Sequence, residues 1–316
     1  MQKNKTILLS IITVNYNGLS DTLELIKTLY SHLNDINYEI IVIDNGSNTD
    51  ESSEIKNKYP EVISLRSEKN LGFAGGNNIG LAKASGEYLL LINNDTLVAD
   101  DSIKYLIETM EENPKVGITS PKIIFESNKH IQFAGYTEFS KLTMRNKLIG
   151  NNEIDRSQYD KPSDSAYAHG AAMLIRKEVL EKAGYIPEIY FLYYEELDWS
   201  LRIKEAGYQI YYEPKTRIYH KESQSTGKGS PFKEYYIARN KLIFTYRNRS
   251  RINSFLSISY ILGISFLIKT IKNIFKGEFL HIKARIRAVK DFYKMKNAGE
   301  IQNLVENKSN NKSKDA

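Results

Sequence analysis

The chain has no cysteine, so disulfides and thiolate metal sites are excluded, a composition that fits a reducing compartment. Nothing near its start reads as a secretory leader. Met1–Thr6 is short and polar, and the apolar run behind it has the pattern of a strand with no cleavage site after it. Long uncharged stretches are scarce: Ile252–Ile268, 17 residues, sits at the short edge of what a spanning helix needs. No segment repeats another.

What is present is an ordinary globular composition, 41% apolar and 26% charged, in 316 residues. That length suits two domains, or one large α/β domain with an extension. The formal charge of +6 conceals an asymmetry. Residues 1–230 carry 26 Lys and Arg against 32 Asp and Glu, whereas 231–298 carry 15 against 3. A basic segment on an acidic body points to an anionic partner, either nucleic acid or a phospholipid surface.

The first half alternates strand and helix patterns. Ile7–Val14, Glu39–Ile43, Val62–Leu65, Tyr88–Ile92 and Val116–Ser120 are apolar runs of the kind buried on both faces of a sheet. Between them Leu19–Ser31, Asp50–Tyr59 and Asp101–Glu112 have helical spacing, and a Gly/Asn-rich loop over 70–80 leads into a short helix ending near Ser85. Repeated βα units imply a parallel sheet with helices on both faces. Residues 121–168 break the pattern and read as an insertion. Helices return at 178–183 and 195–206, strands at Gln209–Tyr212 and Arg217–His220. Residues 231–305 form a helical region, and the Lys/Asn/Ser-rich tail 306–316 reads as disordered.

Ligands of open parallel sheets bind beyond the carboxyl ends of the strands. Three strands here end in polar, acceptor-rich loops: Thr13-Val14-Asn15-Tyr16-Asn17-Gly18, Asp44-Asn45-Gly46-Ser47 and Asn93-Asn94-Asp95. Each loop alone reads as an ordinary turn; three along one edge read as a site. Asp95, after a strong strand, suits a hard divalent cation such as Mg²⁺ or Mn²⁺ bridging phosphates. The loop with Asn70, Gly72 and Asn78 could bring backbone N–H groups close to phosphate, although it matches neither the dinucleotide fingerprint nor a P-loop. In Phe191–Arg202 an aromatic stretch opens into Glu195, Glu196 and Asp198. A carboxylate beside aromatic rings gains basicity by desolvation and suits a general base; acidic residues also favour the first turn of a helix for electrostatic reasons alone. His220 closes a strand and His169 precedes Gly170-Ala171-Ala172; imidazole in either place is structural or a metal ligand.

Together these segments resemble family 2 of the glycosyltransferases, in particular its rhamnosyltransferase-like and galactofuranosyltransferase-like members. The resemblance is carried by Ser10–Asn17, Val42–Ser47, Asn70–Asn78, Leu91–Asp95, Gly170–Arg176, Glu195–Arg202, His220 with Ser223 and Ser225, and Tyr235–Asn240. The ordered set spans residues 7–247. It implies a glycosyltransferase A-type, Rossmann-like fold, a mixed, mainly parallel sheet flanked by helices, over residues 1–230, with a C-terminal helical extension. It assigns Asp44 to the nucleoside, Asn93 and Asp95 to the family's Asp-x-Asp position, Glu196 to the catalytic base and His220 to a metal ligand. Thr13, Asn15, Asn17, Asn70, Gly72, Asn78, Asn93 and Asn94 fall on its donor-binding side. Two departures stand out. The first Asp of Asp-x-Asp is Asn93, and the usual Asp of the base pair is Glu196, so Glu195 and Asp198 remain alternatives for the base. The Gln-x-x-Arg-Trp signature of processive synthases is absent, because the only tryptophan is Trp199; single-sugar addition follows.

The expected activity is therefore inverting transfer of one sugar from dTDP-rhamnose or a UDP-sugar, with Mn²⁺ or Mg²⁺, to an acceptor hydroxyl on a glycan or lipid-linked glycan in cell-surface polysaccharide synthesis. A nucleotidyltransferase would need Lys or Arg near the first loop, and 13–18 has neither. A non-catalytic sugar-nucleotide-binding protein is the other alternative. No nucleic-acid motif accompanies the basic segment. Its Phe279, Ile282, Ile286, Val289 and Tyr293 share one helical face, the pattern of a helix lying on a membrane. The expectation is a cytoplasmic enzyme, peripheral on the inner face of the cell membrane. The competing reading is a helical bundle on the catalytic domain, or a contact in a homo-oligomer.

Overall fold

Apolar runs rich in Ile, Val and Leu form the centre of a mixed sheet in a computed structural model that describes residues 7–222 and 229–305. Ser223, Ser225 and the tail from Glu306 lie outside the described residues. The chain divides into two units. The first holds the described residues up to Thr137, with Lys147–Phe191 and Glu195–Glu222. The second holds Glu138–Asn146, Leu192–Tyr194 and the described residues after Glu222.

In the first unit the strands are β1 (Leu9–Asn15), β2 (Tyr38–Asn45), β3 (Ile63–Ser67), β4 (Tyr88–Ile92), β5 (Thr96–Val98), β6 (Val116–Phe125), β7 (His130–Phe133), β8 (Glu153–Ile154), β9 (Ser163–Asp164), β10 (Ala172–Arg176) and β11 (Gln209–His220). The main path runs β3-β2-β1-β4-β10-β6-β11-β5. β1 is parallel to β2 and β4, β2 to β3, and β6 to β11. β10 is antiparallel to both β4 and β6, and β5 to β11. The sheet is mixed and mainly parallel, as expected, with β10 reversing direction between two strands that point the same way. All strand ends that matter, Asn15, Asn45, Ile92, Phe125 and His220, consequently lie along one edge.

Along the central strands successive residues serve opposite faces. Ile11 and Leu90 join Leu25, Leu29, Ile55 and Leu106 from helices α1 (Leu19–His32), α2 (Glu51–Lys58) and α4 (Ile103–Glu112). Ile12 and Leu91 join Leu81, Val179, Trp199 and Ile203 from α3 (Gly72–Lys83), α5 (Lys177–Ala183) and α6 (Glu195–Glu205).

Three local expectations change. The glycine-rich stretch is helix from Gly72 onward, because Gly76 and Gly80, one turn apart, let α3 settle onto β1; a Cβ on Gly80 would stand 2.3 Å from Ile12 Cγ2. The strand expected at 116–120 runs on into the stretch read as an insertion and ends at Phe125, as β6. The pieces at 209–212 and 217–220 are also one, β11, with a register shift between Glu213 and Arg217 where Pro214 cannot donate to the ladder.

The second unit is helical: α7 (Pro231–Arg247), α8 (Arg251–Tyr260), a π-helical turn Ile261–Ser265, α9 (Phe266–Phe275) and α10 (Phe279–Asn297). Ser230 caps α7 by accepting from Lys233 N, with Pro231 in the first turn. Phe244 of α7 packs against Phe139 and Tyr194, and α10 buries Arg285, Ala288 and Phe292.

Candidate active site at the carboxyl edge of the sheet

The ends of β1 and β2 form one corner. Asn15 and Asp44 are register partners and both are fully buried. Asp44 Oδ1 accepts from Ser47 N, and Oδ2 pairs with Arg66 at 3.0 Å. Glu51 gathers the first loop: its Oε2 accepts from Asn15 Nδ2 at 2.6 Å, Ser47 Oγ at 3.2 Å and Gly18 N at 3.2 Å. Asn17, in the left-handed region at φ 51°, donates its N–H to Ser47 Oγ and accepts from Asn48 N. Thr13 Oγ1 is buried with no hydrogen-bond partner among the described residues.

Other predicted donor-side residues tie loops together. Asn70 Oδ1 accepts from Gly72 N and Asn45 Nδ2. Asn78 engages the 186–188 loop with both ends of its amide, donating to Ile186 O and Glu188 Oε1 and accepting from Ile186 N. Gly72, at φ 71°, meets the Phe191 carbonyl, which would stand 2.1 Å from any Cβ; Phe73 N donates to the same carbonyl. Asn94 donates to Thr22 Oγ1 and Gly18 O.

At the end of β4 the Asn93 N–H donates to Ala171 O. The neighbouring Gly170 borders Glu196: a Cβ there would lie 3.7 Å from the Phe73 ring and 4.0 Å from Glu196 Cγ. Asn93, the 169–171 turn and Glu196 are thereby brought together. Glu196 is half-buried at the start of α6, whereas Glu195 and Asp198 are buried. Asp198 accepts from the Tyr190 hydroxyl at 2.5 Å and lies 3.7 Å from Arg202 Nε. Phe191, Tyr193 and Tyr194, just ahead of this helix, all have positive φ, a strained backbone of the kind that collects at functional loops.

Asp95 and His220, 125 positions apart, meet where β5 pairs with the end of β11; Oδ1 and Nε2 are 3.1 Å apart and both residues are buried. Gln132 of β7 places Oε1 2.7 Å from His220 Nδ1. An amide oxygen only accepts, so Nδ1 carries the hydrogen. When nothing sits on Nε2, that nitrogen faces a carboxylate oxygen, a contact favourable only with a proton or cation between them. The pair fits a divalent ion on this ground. Among the described residues no cluster of three or more His, Asp or Glu forms a fuller cage. His169 lies close enough to feel His220: burial, and then the electrostatic effect of His220, lower its pKa to about 3. It accepts from Ala171 N and stacks on Tyr136.

The model of the family described as "Glycosyl transferase family 2" matches residues 10–184. The chain belongs to that family. Similar curated proteins include the low-salt glycan biosynthesis hexosyltransferase Agl10 of Haloferax volcanii, 31% identical over 64% of this chain and 63% of that protein. Another is the N-acetylglucosaminyl-diphospho-decaprenol L-rhamnosyltransferase of Mycobacterium tuberculosis, 24% identical over 60% of this chain and 68% of that one. The chain spans less than two thirds of the Haloferax protein, and 24% and 17% of two longer relatives. Among solved structures, GalNAc-T7 with UDP, GalNAc and Mn²⁺ aligns over 85% of this chain and 58% of its own, with a TM-score of 0.60 at 17% identity. The fold is therefore glycosyltransferase A-type, as expected.

Three residues that organise this edge escape sequence reasoning. Glu51 and Arg66 look like surface charges on a helix and an edge strand; Gln132 looks like a polar residue in an insertion. Only Glu51 had a local signal, as an acidic residue opening a helix beside a strand-end loop.

Proposed function

We propose that the chain moves one sugar from a nucleotide diphosphate donor onto an acceptor hydroxyl with inversion. The observation that carries this reading is the Asp95–His220 pair on the edge that also bears Asp44 and, through the 169–171 turn, Glu196. Asp44 and the Asn15–Asn17 loop take the nucleoside side, with Asn93 toward the ribose or phosphate. Asp95 and His220 would hold Mn²⁺ or Mg²⁺, which supplies positive charge for the departing diphosphate.

Glu196 takes the acceptor proton as the acceptor oxygen attacks the anomeric carbon. The bond from that carbon to the diphosphate oxygen breaks on the opposite face, and its electron pair leaves with the nucleotide. One base and no covalent intermediate give inversion. Asp198 is engaged with Tyr190 and Arg202 and supports α6, which favours Glu196 over it as the base. The names of the Haloferax and Mycobacterium relatives support a hexosyl or rhamnosyl donor, and the latter a lipid-linked acceptor. The enzyme would then work at the cytoplasmic face of the cell membrane.

A thermal-shift panel of dTDP-rhamnose, UDP-galactofuranose and UDP-hexoses with Mn²⁺ identifies the donor. Proton NMR of the product then reads the anomeric configuration. Retention would overturn the single displacement, and donor binding without transfer to any hydroxyl acceptor would overturn the enzyme assignment.

A further inference from the structure

Arg251–Phe275 forms one continuous helix through α8, the π turn and α9, and its polarity is inverted. Its buried residues are Ser254, Ser257 and Asn273, all polar; Ser257 is 1% exposed and donates to Lys141 O at 3.1 Å. Its outward side carries Ile252, Phe255, Leu256, Leu267, Ile268 and Phe275, with Phe255 70% and Phe275 87% exposed. A helix on a protein in water hides its apolar stripe and shows its polar one. A large, contiguous apolar exposure marks a surface that meets another apolar phase. Beyond the turn, Phe279 and Leu280 at the start of α10 are also exposed.

We infer that this outward face docks on an anionic phospholipid bilayer and lies in its interface. Charge selects the occupant. Arg247 and Arg249 precede the helix, Arg251 opens it, Lys269 and Lys272 lie in its last turns and Lys276 follows it, in a segment, 231–298, that carries 15 basic residues against 3 acidic. A second copy would bring the same excess against itself, whereas anionic headgroups complement it. Lys272 and Lys276, long basic side chains at one end, can reach headgroups while their stems lie along the apolar surface.

Packing selects the in-plane arrangement. Among the described residues this is the helix long and apolar enough to cross a membrane by length and composition. Its other side, however, is held by charged neighbours. Lys269 Nζ is 3.7 Å from Glu234, which also pairs with Arg285 at 2.8 Å, and the Arg285 guanidinium lies over Phe266. Crossing would carry Glu234 and Arg285 into hydrocarbon, where ionised groups are expensive. One face is left for lipid. The inference deepens the lipid-linked-acceptor reading by naming the surface that brings the enzyme to its acceptor, yet the lipid contact can be measured without any sugar transfer.

The test uses the full chain, sedimented with vesicles of phosphatidylcholine alone and with added phosphatidylglycerol, at low and high salt. The expected result is binding to the anionic vesicles that weakens with salt. The triple variant Phe255→Glu, Leu267→Glu, Phe275→Glu changes only outward side chains. It should lose at least about ten-fold in vesicle partition and keep transfer to a soluble acceptor. Absence of binding by the unaltered chain, or equal binding by the triple variant, overturns the inference. So does a dimer that the triple variant dissociates, since a second copy would then cover the face. Resistance to carbonate extraction from cell membranes overturns the in-plane arrangement in favour of a span.

Discussion

Gln132 and His220 are joined by a 2.7 Å hydrogen bond between two buried side chains that lie 88 positions apart. The bond fixes which ring nitrogen of His220 carries hydrogen and aims the other at Asp95. Partners of this kind typically change metal affinity by about 10–100-fold when removed. Gln132→Leu should weaken Mn²⁺ binding by that order, read by calorimetry or by the spin-resonance signal of free Mn²⁺, while Gln132→Glu, which keeps an acceptor, should retain it. Asp95→Asn and His220→Ala should each weaken metal-dependent nucleotide diphosphate binding more severely. Unchanged metal dependence in Asp95→Asn would remove the metal assignment altogether.

Glu196→Gln should lose transfer by roughly 10²–10⁴-fold, the usual contribution of a general base, while donor affinity measured calorimetrically stays close to that of the unaltered chain. Near-normal turnover would move the base to Glu195 or Asp198.

Gly72→Ala should destabilise the fold. The backbone there has φ 71°, and a methyl group would meet the Phe191 carbonyl at 2.1 Å. Alanine at a positive φ costs more than about 1 kcal/mol, and the backbone contact adds to it. Urea midpoints measure the loss, and midpoints equal to those of the unaltered chain would contradict the contact.

His169 supplies a pH dependence of stability. Its folded pKa, about 3, lies below the ordinary histidine value of 6.5, chiefly through burial and then through the electrostatic effect of His220. As pH falls from 6.5 toward 3 the unfolded chain binds this proton and the folded one does not, so this term makes stability fall. It is fully present above pH 6.5. Urea midpoints at pH 7 and pH 5 should therefore converge in His169→Gln relative to the unaltered chain. An identical pH dependence in both would show that the ring takes no part.

The central strands, and the places where their polar ends begin, can be read from the amino-acid sequence. A strand buried on both faces must be apolar throughout, so β1, β2 and β4 are visible as apolar runs, with Asn15, Asp44 and Asn93 as the first polar residues after them and Asp95 two further on. The start of α6 was equally legible, because its acidic first turn stands against an aromatic stretch. Tertiary structure decided the rest. The glycines of α3 resemble a phosphate loop until Ile12 and Phe191 are seen pressed against them. Gln132 carries no local signal, since its role exists only once β7 pairs with β6 and delivers it to His220. The amphipathic pattern over 279–293 pointed to α10 as the surface helix. α10 does expose Phe279, Ile286 and Tyr293 of that face while burying Ala288 and Phe292 beside it; what the pattern did not reveal is that the adjoining helix turns its serines inward and its Phe and Leu side chains out. Which side of a helix is covered depends on what packs against it, and no periodicity along one segment contains that information.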